Sequence, residues 1–259
     1  MRVVSLACSN TEIVCALGCA DWLVGVDDHS DTPADVISRL PKVGPDLQID
    51  MEKVAALQPD LVIASLTVPG HENNIAALEK AGLPFIAPEP VSLADVYDDI
   101  YTIAHALGVP ERAEAVVKDM KAVIPDIPET PNADGPSILV EWWPKPVIAP
   151  GKQSWVTDLI HAAGGRNPIG LEDVKSRPMT DEEVLTLSPD AFVISWCGVK
   201  VEKYRPDVIY RKELWHELPA LQNKRVYCIA ENYLGRPSPQ LVEGYRALRK
   251  IIKELGEVG

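Results

Sequence analysis

The sequence predicts an α/β protein of two similar lobes, each with a parallel sheet. Short apolar strands alternate with helices along all 259 residues, which is typical of parallel sheets covered on both faces. A repeat at an offset of 130 residues, close to half of the chain, indicates duplication. The proline-rich stretch 125–136 is the clearest linker. We therefore expect a ligand cleft between the lobes.

The first half alternates strand and helix from its first residues. Helix starts are marked by capping residues, and helix ends by glycine. The expected elements are a strand at Val3–Leu6, a helix to Leu17 opened by a Ser9–Glu12 capping box, a strand at Leu23–Val26, a helix from Asp50 to Leu57, a strand at Leu61–Ser65, a helix at Glu72–Ala81, a strand at Phe85–Ile86 and a long helical region from Ser92.

The second half restarts the alternation after a helix that resumes at Glu111. Its last helix carries an apolar stripe opposite a face of Lys and Arg. The expected elements are a strand at Ile138–Val140, helices at Trp155–Ala163 and Asp181–Leu187, strands at Ala191–Ser195 and Arg225–Ile229, and a C-terminal helix striped by Leu241, Tyr245, Leu248, Ile252 and Leu255.

The repeat consists of a helix followed by a strand in each half. The segment Glu52–Asp60 matches Glu182–Asp190, with Glu, Val, Leu, Pro and Asp recurring at the fixed offset. A second match pairs Thr11–Val14 with Thr157–Ile160, in the same order along the chain. Two matches in the same order along the chain favour duplication of a whole lobe. The alternative is that each match reflects features common to any helix followed by a strand.

Composition and charge exclude several classes of function. With 38 acidic against 25 basic residues the formal charge is −13, which argues against nucleic acid and anionic lipid as partners. No apolar run approaches the roughly 18 residues needed to span a bilayer. The five cysteines form no CxxC pair, so buried thiols are favoured over zinc or a disulfide. The N-terminal residues lack a signal-peptide pattern, which indicates a cytosolic protein or a signal already removed.

The search for catalytic motifs predicts a binding protein and not an enzyme. There is no Walker A, GxGxxG, GxSxG or HExxH sequence, and no acid/base pair or nucleophile can be assembled. We expect no resident metal or cofactor. Among the scattered histidines, His29 differs because it lies in an acidic loop just after a strand, where parallel α/β domains place ligand groups. The alternative is an ordinary loop histidine.

Aromatic residues follow the predicted strands of the second half. Trp142 and Trp143 precede three prolines and are expected in a loop, and Trp196 and Tyr233 each come after a strand. The flat faces of these aromatic rings suit a large, planar, partly apolar ligand, and Arg236 is available to bind an anionic group. The alternative is that each Trp covers a sheet edge.

Several segments in this order resemble the substrate-binding proteins of ABC importers for cobalamin, siderophores and haem. The resemblance covers nearly the whole chain. It implies two α/β lobes at 1–109 and 125–259, joined by a long rigid helix at 110–124. The segments that carry it are Val3–Leu17, Val24–Pro33, Leu40–Gly44, Asp50–Ser65, Gly151–Asn167 and Thr180–Ser195.

The match looks closest to cobalamin-binding members. By this resemblance His29 takes the place of a loop aromatic, Tyr233 that of a Trp, and Asn232 that of an acidic residue. Ser65 and Arg177 lie near the places of two missing pocket tryptophans. The ligand-binding residues implied are His29, Ser65, Trp142, Trp143, Trp196, Asn232, Tyr233 and Arg236.

The resemblance also implies a partner and a compartment. Glu52 and Glu182 match the two surface glutamates of the family that dock on a permease dimer; simple helix-dipole complementarity would also explain both. We expect a monomeric, extracytoplasmic protein that holds cobalamin or a related corrinoid in the cleft, with His29 a candidate cobalt ligand. The alternatives are a ferric siderophore or haem carrier of the same fold, and a cytosolic corrinoid-handling protein or enzyme.

Overall fold

Buried apolar strands form the sheets of the computed structural model, which describes residues 1–128, 130 and 132–256. Glu129 and Pro131, two residues of the predicted linker, lie outside the described residues. The chain divides into unit 1, made of Met1–Pro90 and Ala94–Met120, and unit 2, made of Val91–Leu93 and Lys121–Gly259. Each unit contains a parallel sheet, as the sequence predicts.

The sheet of unit 1 has four parallel strands in the order β2-β1-β3-β4. Its two central strands are buried and, apart from Ser5, consist of Val, Leu and Ile, as is typical of parallel strands covered on both faces. The strands are β1 (Val3–Ser5), β2 (Leu23–Val26), β3 (Leu61–Ile63) and β4 (Phe85–Ile86).

The helices up to residue 121 follow the predicted order, with one additional short helix at Ala34–Ile37 that was not predicted. The prediction of a Ser9–Glu12 capping box is wrong. The first helix already begins at Cys8, and its N-cap residue, Ala7, makes no side-chain hydrogen bond to the helix. The helices are α1 (Cys8–Ala16), α2 (Ala34–Ile37), α3 (Met51–Ala56), α4 (Glu72–Ala81), α5 (Leu93–Ala106) and α6 (Pro110–Lys121).

Helix α6 occupies most of the predicted helix 110–124. It buries Ala113, Val117 and Met120, which lie on one helical stripe. Its Arg112 donates from Nη1 to the carbonyl oxygen of Leu17, 3.1 Å away, at the end of α1. The residues of α6 up to Met120 therefore pack as part of unit 1. Lobe boundaries at 109 and 125 stay a prediction.

Unit 2 contains a parallel sheet and a second, antiparallel one. The parallel sheet has the order β10-β9-β5 and the antiparallel sheet the order β6-β7-β8. The antiparallel sheet is not predicted from the sequence, because each of its short strands contains a proline. The strands are β5 (Ile138–Glu141), β6 (Trp143–Pro144), β7 (Val147–Pro150), β8 (Ser176–Met179), β9 (Ala191–Ile194) and β10 (Val226–Cys228).

The core of unit 2 is centred on Phe192 and Trp215. Both are fully buried, and their rings stack with centroids 5.2 Å apart. The helices of unit 2 are α7 (Trp155–Ala162), α8 (Asp181–Leu187), α9 (Asp207–Tyr210), α10 (Pro219–Gln222), α11 (Glu231–Leu234) and α12 (Leu241–Gly256), of which α8, α9 and α10 contribute residues to this core.

The two copies of the repeat begin with equivalent helix caps. The side chain of Asp50 accepts a hydrogen bond from the Lys53 N–H at the start of α3. At the same offset, Thr180 accepts one from the Glu183 N–H at the start of α8, within a full capping box. Each cap satisfies a helix N–H that would otherwise lack a partner.

The repeat continues through the turn from helix to strand. Gln58 and Ser188, again 130 residues apart, both have positive φ angles, of 48° and 42°. Next, Asp60 Oδ2 accepts the Arg2 N–H at 2.6 Å, and Asp190 Oδ2 accepts the Ser137 N–H at 2.7 Å. Duplication therefore extends to individual hydrogen bonds.

Two further sequence predictions concern membranes and thiols. None of the helices within the described residues is both long and apolar enough to cross a bilayer. All five cysteines are free thiols, but the prediction that they are buried is correct only for Cys19. Cys8 and Cys15 are partly buried, and Cys197 and Cys228 are exposed. Cys15 lies in the last turn of α1, and Cys19 lies beyond the end of that helix.

Candidate functional site

The loop after β2 holds His29 in place through one buried carboxylate. Asp27 is fully buried; its Oδ2 accepts the N–H groups of His29 at 2.9 Å and Ser30 at 3.2 Å. Its Oδ1 accepts the Ser30 hydroxyl at 2.5 Å. Burial raises the pKa of Asp27, and the hydrogen bond from Ser30 opposes this rise. The backbone of His29 is fixed, while its side chain is half exposed.

A neighbouring segment clamps this loop. Asp28 donates its N–H to the Gly44 carbonyl at 2.9 Å and accepts the Gly44 N–H on Oδ1 at 3.2 Å. Lys42 Nζ donates to the carbonyl oxygens of Asp27, at 3.0 Å, and Ser30, at 2.5 Å. Gly44 has φ +111°, and a β-carbon there would lie 2.8 Å from the Gln48 carbonyl oxygen, so glycine is required.

Two imidazoles face opposite oxygens of one carboxylate beside the loop. Asp46 Oδ1 lies 3.6 Å from His29 Nε2, and Asp46 Oδ2 lies 3.5 Å from His71 Nε2. The contact with His71 is the main reason why the pKa of Asp46 falls below its usual range. Within the described residues, no group of three or more His, Cys, Asp or Glu side chains is arranged to hold a metal ion. Sequence reasoning missed Asp46 and His71.

Ser65 follows β3 at the same edge of the sheet of unit 1. Its side chain is buried, shares a hydrogen bond of 2.9 Å with the Thr67 hydroxyl and accepts the Thr67 N–H at 3.3 Å. Asn10 donates to the carbonyl oxygen of Ala64 at 2.7 Å and so supports the end of the strand. The Ser65 hydroxyl therefore shapes the turn after β3.

Trp142 and Trp143 follow β5 in unit 2. Trp142 is half-buried, and its Nε1 is buried with no hydrogen-bond partner among the described residues. Trp143 is 44% exposed. The expectation that both lie in a loop is wrong for Trp143, which pairs with Ile148 in the antiparallel sheet. The backbone of this exposed residue is therefore held in the sheet.

Glu141, the last residue of β5, is a buried acid that sequence reasoning missed. It is fully buried, its Oε1 accepts the Trp196 Nε1–H at 2.8 Å, and its Oε2 has no partner among the described residues. Burial raises its pKa to about 7. Trp196 is buried too and packs on Tyr204 with ring centroids 5.6 Å apart. In the sequence, this buried acid is indicated by its position at the end of the otherwise apolar strand Ile138–Glu141.

Helix α11 and the residues directly after it carry the last candidates. Asn232 and Tyr233 are half-buried in it. Arg236 Nε lies 3.1 Å from Glu231 Oε2, with only 11% of the arginine side chain exposed, so its charge has an internal partner. A β-carbon at Gly244 of α12 would overlap the Tyr233 carbonyl oxygen. This close approach anchors the backbone of Tyr233.

Glu52 and Glu182 lie in the first turns of α3 and α8. Both are exposed. No hydrogen bond or ion pair joins either carboxylate to the part of the chain that the structure describes. Arg177, which the resemblance places near a pocket tryptophan that this chain lacks, differs from these two glutamates in being paired. It forms ion pairs with Glu172 at 2.5 Å and with Glu183 at 3.1 Å.

In both units the candidate residues follow the carboxyl ends of parallel strands. In unit 1, His29 follows β2 and Ser65 follows β3. In unit 2, Trp142 follows β5 and Tyr233 follows β10. This edge is where open α/β sheets bind ligands.

Comparison with known proteins finds relatives that are similar over nearly the whole chain. The chain is 31% identical to an uncharacterised ABC transporter substrate-binding lipoprotein, YvrC, of Bacillus subtilis over 97% of this chain and 79% of that protein. It is 26% identical to the vitamin B12-binding protein of Vibrio cholerae over 97% and 89% of the two chains. The apo structure of the periplasmic haem-binding protein RhuT from Roseiflexus sp. RS-1 superposes with a TM-score of 0.80 at 26% identity, covering 98% of each chain.

The fold and these relatives define a class, the substrate-binding proteins of ABC transporters. The family profile described as periplasmic binding protein matches residues 3–233. The chain belongs to this family, within the cluster whose members serve cobalamin, siderophores and haem.

Proposed function

We propose that the chain binds cobalamin or a related corrinoid in the cleft that the duplication predicts, and delivers it to an ABC permease. The observation that carries this proposal is the set of side chains at the sheet edges. A half-exposed imidazole follows β2 in unit 1, and an exposed indole follows β5 in unit 2. The similarity to the vitamin B12-binding protein of Vibrio cholerae supports it.

Each unit would contribute different chemistry to the ligand. The ring of Trp143 offers a flat apolar face, and Tyr233 offers a second ring with a polar end. Asn232 can both donate to and accept from the amide side chains of a corrin. His29 can donate a nitrogen lone pair to cobalt. Most of this binding would come from apolar contact, with few polar anchors.

Haem is the second candidate ligand. It is also a flat, largely apolar macrocycle whose metal accepts an imidazole nitrogen. The similarity to the haem-binding protein RhuT favours it. Haem differs from a corrinoid in its two carboxylates, which need cationic partners. Arg236 already faces Glu231 at 3.1 Å, and this pairing favours the corrinoid with its neutral amides.

The test is a titration with four ligands: cyanocobalamin, cobinamide, haemin and a ferric hydroxamate. Tryptophan fluorescence and heat of binding are followed. We expect a corrinoid to bind at one site with a micromolar or lower Kd. Trp143→Ala should weaken this binding at least about tenfold, equivalent to about 1.4 kcal/mol. Leu171→Ala is the control, because Leu171 is an 85% exposed apolar residue of the same unit. Equal loss in both variants would contradict the role of Trp143.

We propose that Glu52 and Glu182 dock on cationic residues of the permease. Their exposure, their equivalence in the repeat and their lack of a partner among the described residues support this. Exposed carboxylates meeting cations set orientation and association rate more than affinity.

Charge reversal separates docking from ligand binding. Glu52→Arg with Glu182→Arg should leave the ligand Kd unchanged and reduce binding to membranes that contain the permease. Glu79→Arg, which reverses another exposed charge of unit 1 on α4, is the control. Full membrane binding by the double variant would contradict docking through these two residues.

A further inference from the structure

The side chains of His71, Asp46 and His29 lead from a buried position to the protein surface. The exposed fraction of the side chain rises from 4% for His71, through 32% for Asp46, to 50% for His29. The carboxylate therefore connects a buried imidazole to one at the surface of the binding edge. On the basis of the proposed function, we infer that Asp46 holds His29 in the tautomer whose Nδ1 binds the metal of the ligand, and that His71 orients Asp46.

The tautomer of His71 follows from its contacts. Its Nδ1 accepts the Val68 N–H at 3.4 Å, so in the neutral ring the proton lies on Nε2. That nitrogen faces Asp46 Oδ2 at 3.5 Å. At this distance the contact is not a hydrogen bond, and His71 Nε2 has no hydrogen-bond partner among the described residues. The buried imidazole lies against one carboxylate oxygen and leaves the other directed at His29.

The tautomer of His29 follows in turn. Its Nε2 faces Asp46 Oδ1 at 3.6 Å, and a carboxylate favours the protonated nitrogen on that side. The lone pair then lies on Nδ1. Histidines that bind metals usually donate their other N–H to a carboxylate or carbonyl, which fixes the ring and raises its basicity.

Backbone contacts hold this arrangement before any ligand arrives. Asn74, a buried residue of α4, donates to the Asp46 carbonyl oxygen at 2.5 Å. Asp28 and Gly44 join the loop of His29 to the segment of Asp46. Asp27 holds the His29 N–H at 2.9 Å. Both loops are therefore positioned by more than the contact between their side chains.

The ligand chemistry follows from the number of metal-binding groups. Since no group of three or more His, Cys, Asp or Glu in the described chain is arranged for a metal ion, a bare cation would lack ligands here. A macrocycle supplies four equatorial nitrogens and needs only one axial ligand. His29 Nδ1 would donate its lone pair and displace a metal-bound water, with no change in oxidation state.

The experiment is a spectroscopic titration at pH 7.5 with diaquocobinamide and with haemin. Wild type should show shifted metal-centred bands. His29→Ala should lose the shift while tryptophan quenching still reports binding. Asp46→Asn should weaken metal ligation about 10–100-fold. His105→Ala, which removes an exposed histidine of α5, should match wild type. Circular dichroism and the Tm check folding, with His29→Gln as the second variant.

A measurement on the ligand-free protein tests the positioning role of Asp46 separately from metal binding. Nitrogen-15 chemical shifts of the ligand-free protein should show His29 protonated on Nε2, and a mixture of tautomers in Asp46→Asn. Identical tautomers in both proteins would overturn the role of Asp46. An unchanged bound spectrum in His29→Ala would overturn metal ligation but leave the proposed function standing. Failure of wild type to bind either macrocycle would overturn both.

Discussion

Replacing Glu141 by Gln should change how the stability of the protein depends on pH. The carboxyl group is fully buried, and only one of its oxygens, Oε1, has a hydrogen-bond partner among the described residues, Trp196. Burial raises its pKa from 4.5 to about 7. The folded state therefore binds more protons than the unfolded state between these values, and its stability falls as the pH rises.

The size of the effect follows from the two pKa values. Between 4.5 and about 7, at about 1.4 kcal/mol per pH unit, stability should fall by about 3 kcal/mol. The fall begins near the unfolded pKa and ends just above the folded one. Gln keeps an acceptor for the Trp196 N–H but does not titrate. The Gln variant should therefore gain about 3 kcal/mol relative to wild type from pH 4 to pH 8.

Urea unfolding of both proteins across this range measures the difference, because other titrating groups cancel. Glu79→Gln, which removes an exposed carboxylate, is the control. A constant difference in the free energy of unfolding between wild type and Glu141→Gln would refute the reasoning. So would a loss of stability on raising the pH in the Gln variant as large as that in wild type.

Three further substitutions test the parts that hold the site. Gly44→Ala should lower the free energy of unfolding by about 1–3 kcal/mol, because of its positive φ and the nearby carbonyl; a Tm equal to wild type would contradict this. Gly244→Ala should weaken ligand binding by displacing the Tyr233 backbone, and titration of the folded variant would show an unchanged Kd if that reasoning is wrong. Thr180→Ala should cost about 1 kcal/mol in urea unfolding by removing the cap of α8, and an unchanged midpoint would show that the cap contributes nothing.

The duplicated elements could be predicted because their signals are local. The helix from Asp50 and its counterpart at Asp181–Leu187 carry capping residues at their starts, and the strands after them are apolar runs. Thr180 is the exception, since its role as the second cap emerged only from the structure. The Ser9 capping box failed because a matching pattern does not locate the first helical residue.

The rest of the site depends on contacts between distant parts of the chain. His29, Asp46 and His71 lie in three different loops, and no spacing in the sequence indicates that they meet. Likewise, the partner of Arg236 is Glu231 at the start of a helix of four residues. Glu141 was hidden by its place in an apolar strand. Tertiary packing decides all of these contacts.

Calorimetric titration of the wild-type chain with cyanocobalamin and cobinamide, alongside haemin and a ferric hydroxamate, tests the proposed function most directly. A corrinoid should bind with one-to-one stoichiometry, a Kd at or below the micromolar range, and higher affinity than the other two ligands. No heat and no fluorescence change with either corrinoid at micromolar concentrations, or tighter binding of haemin or the hydroxamate, would contradict it.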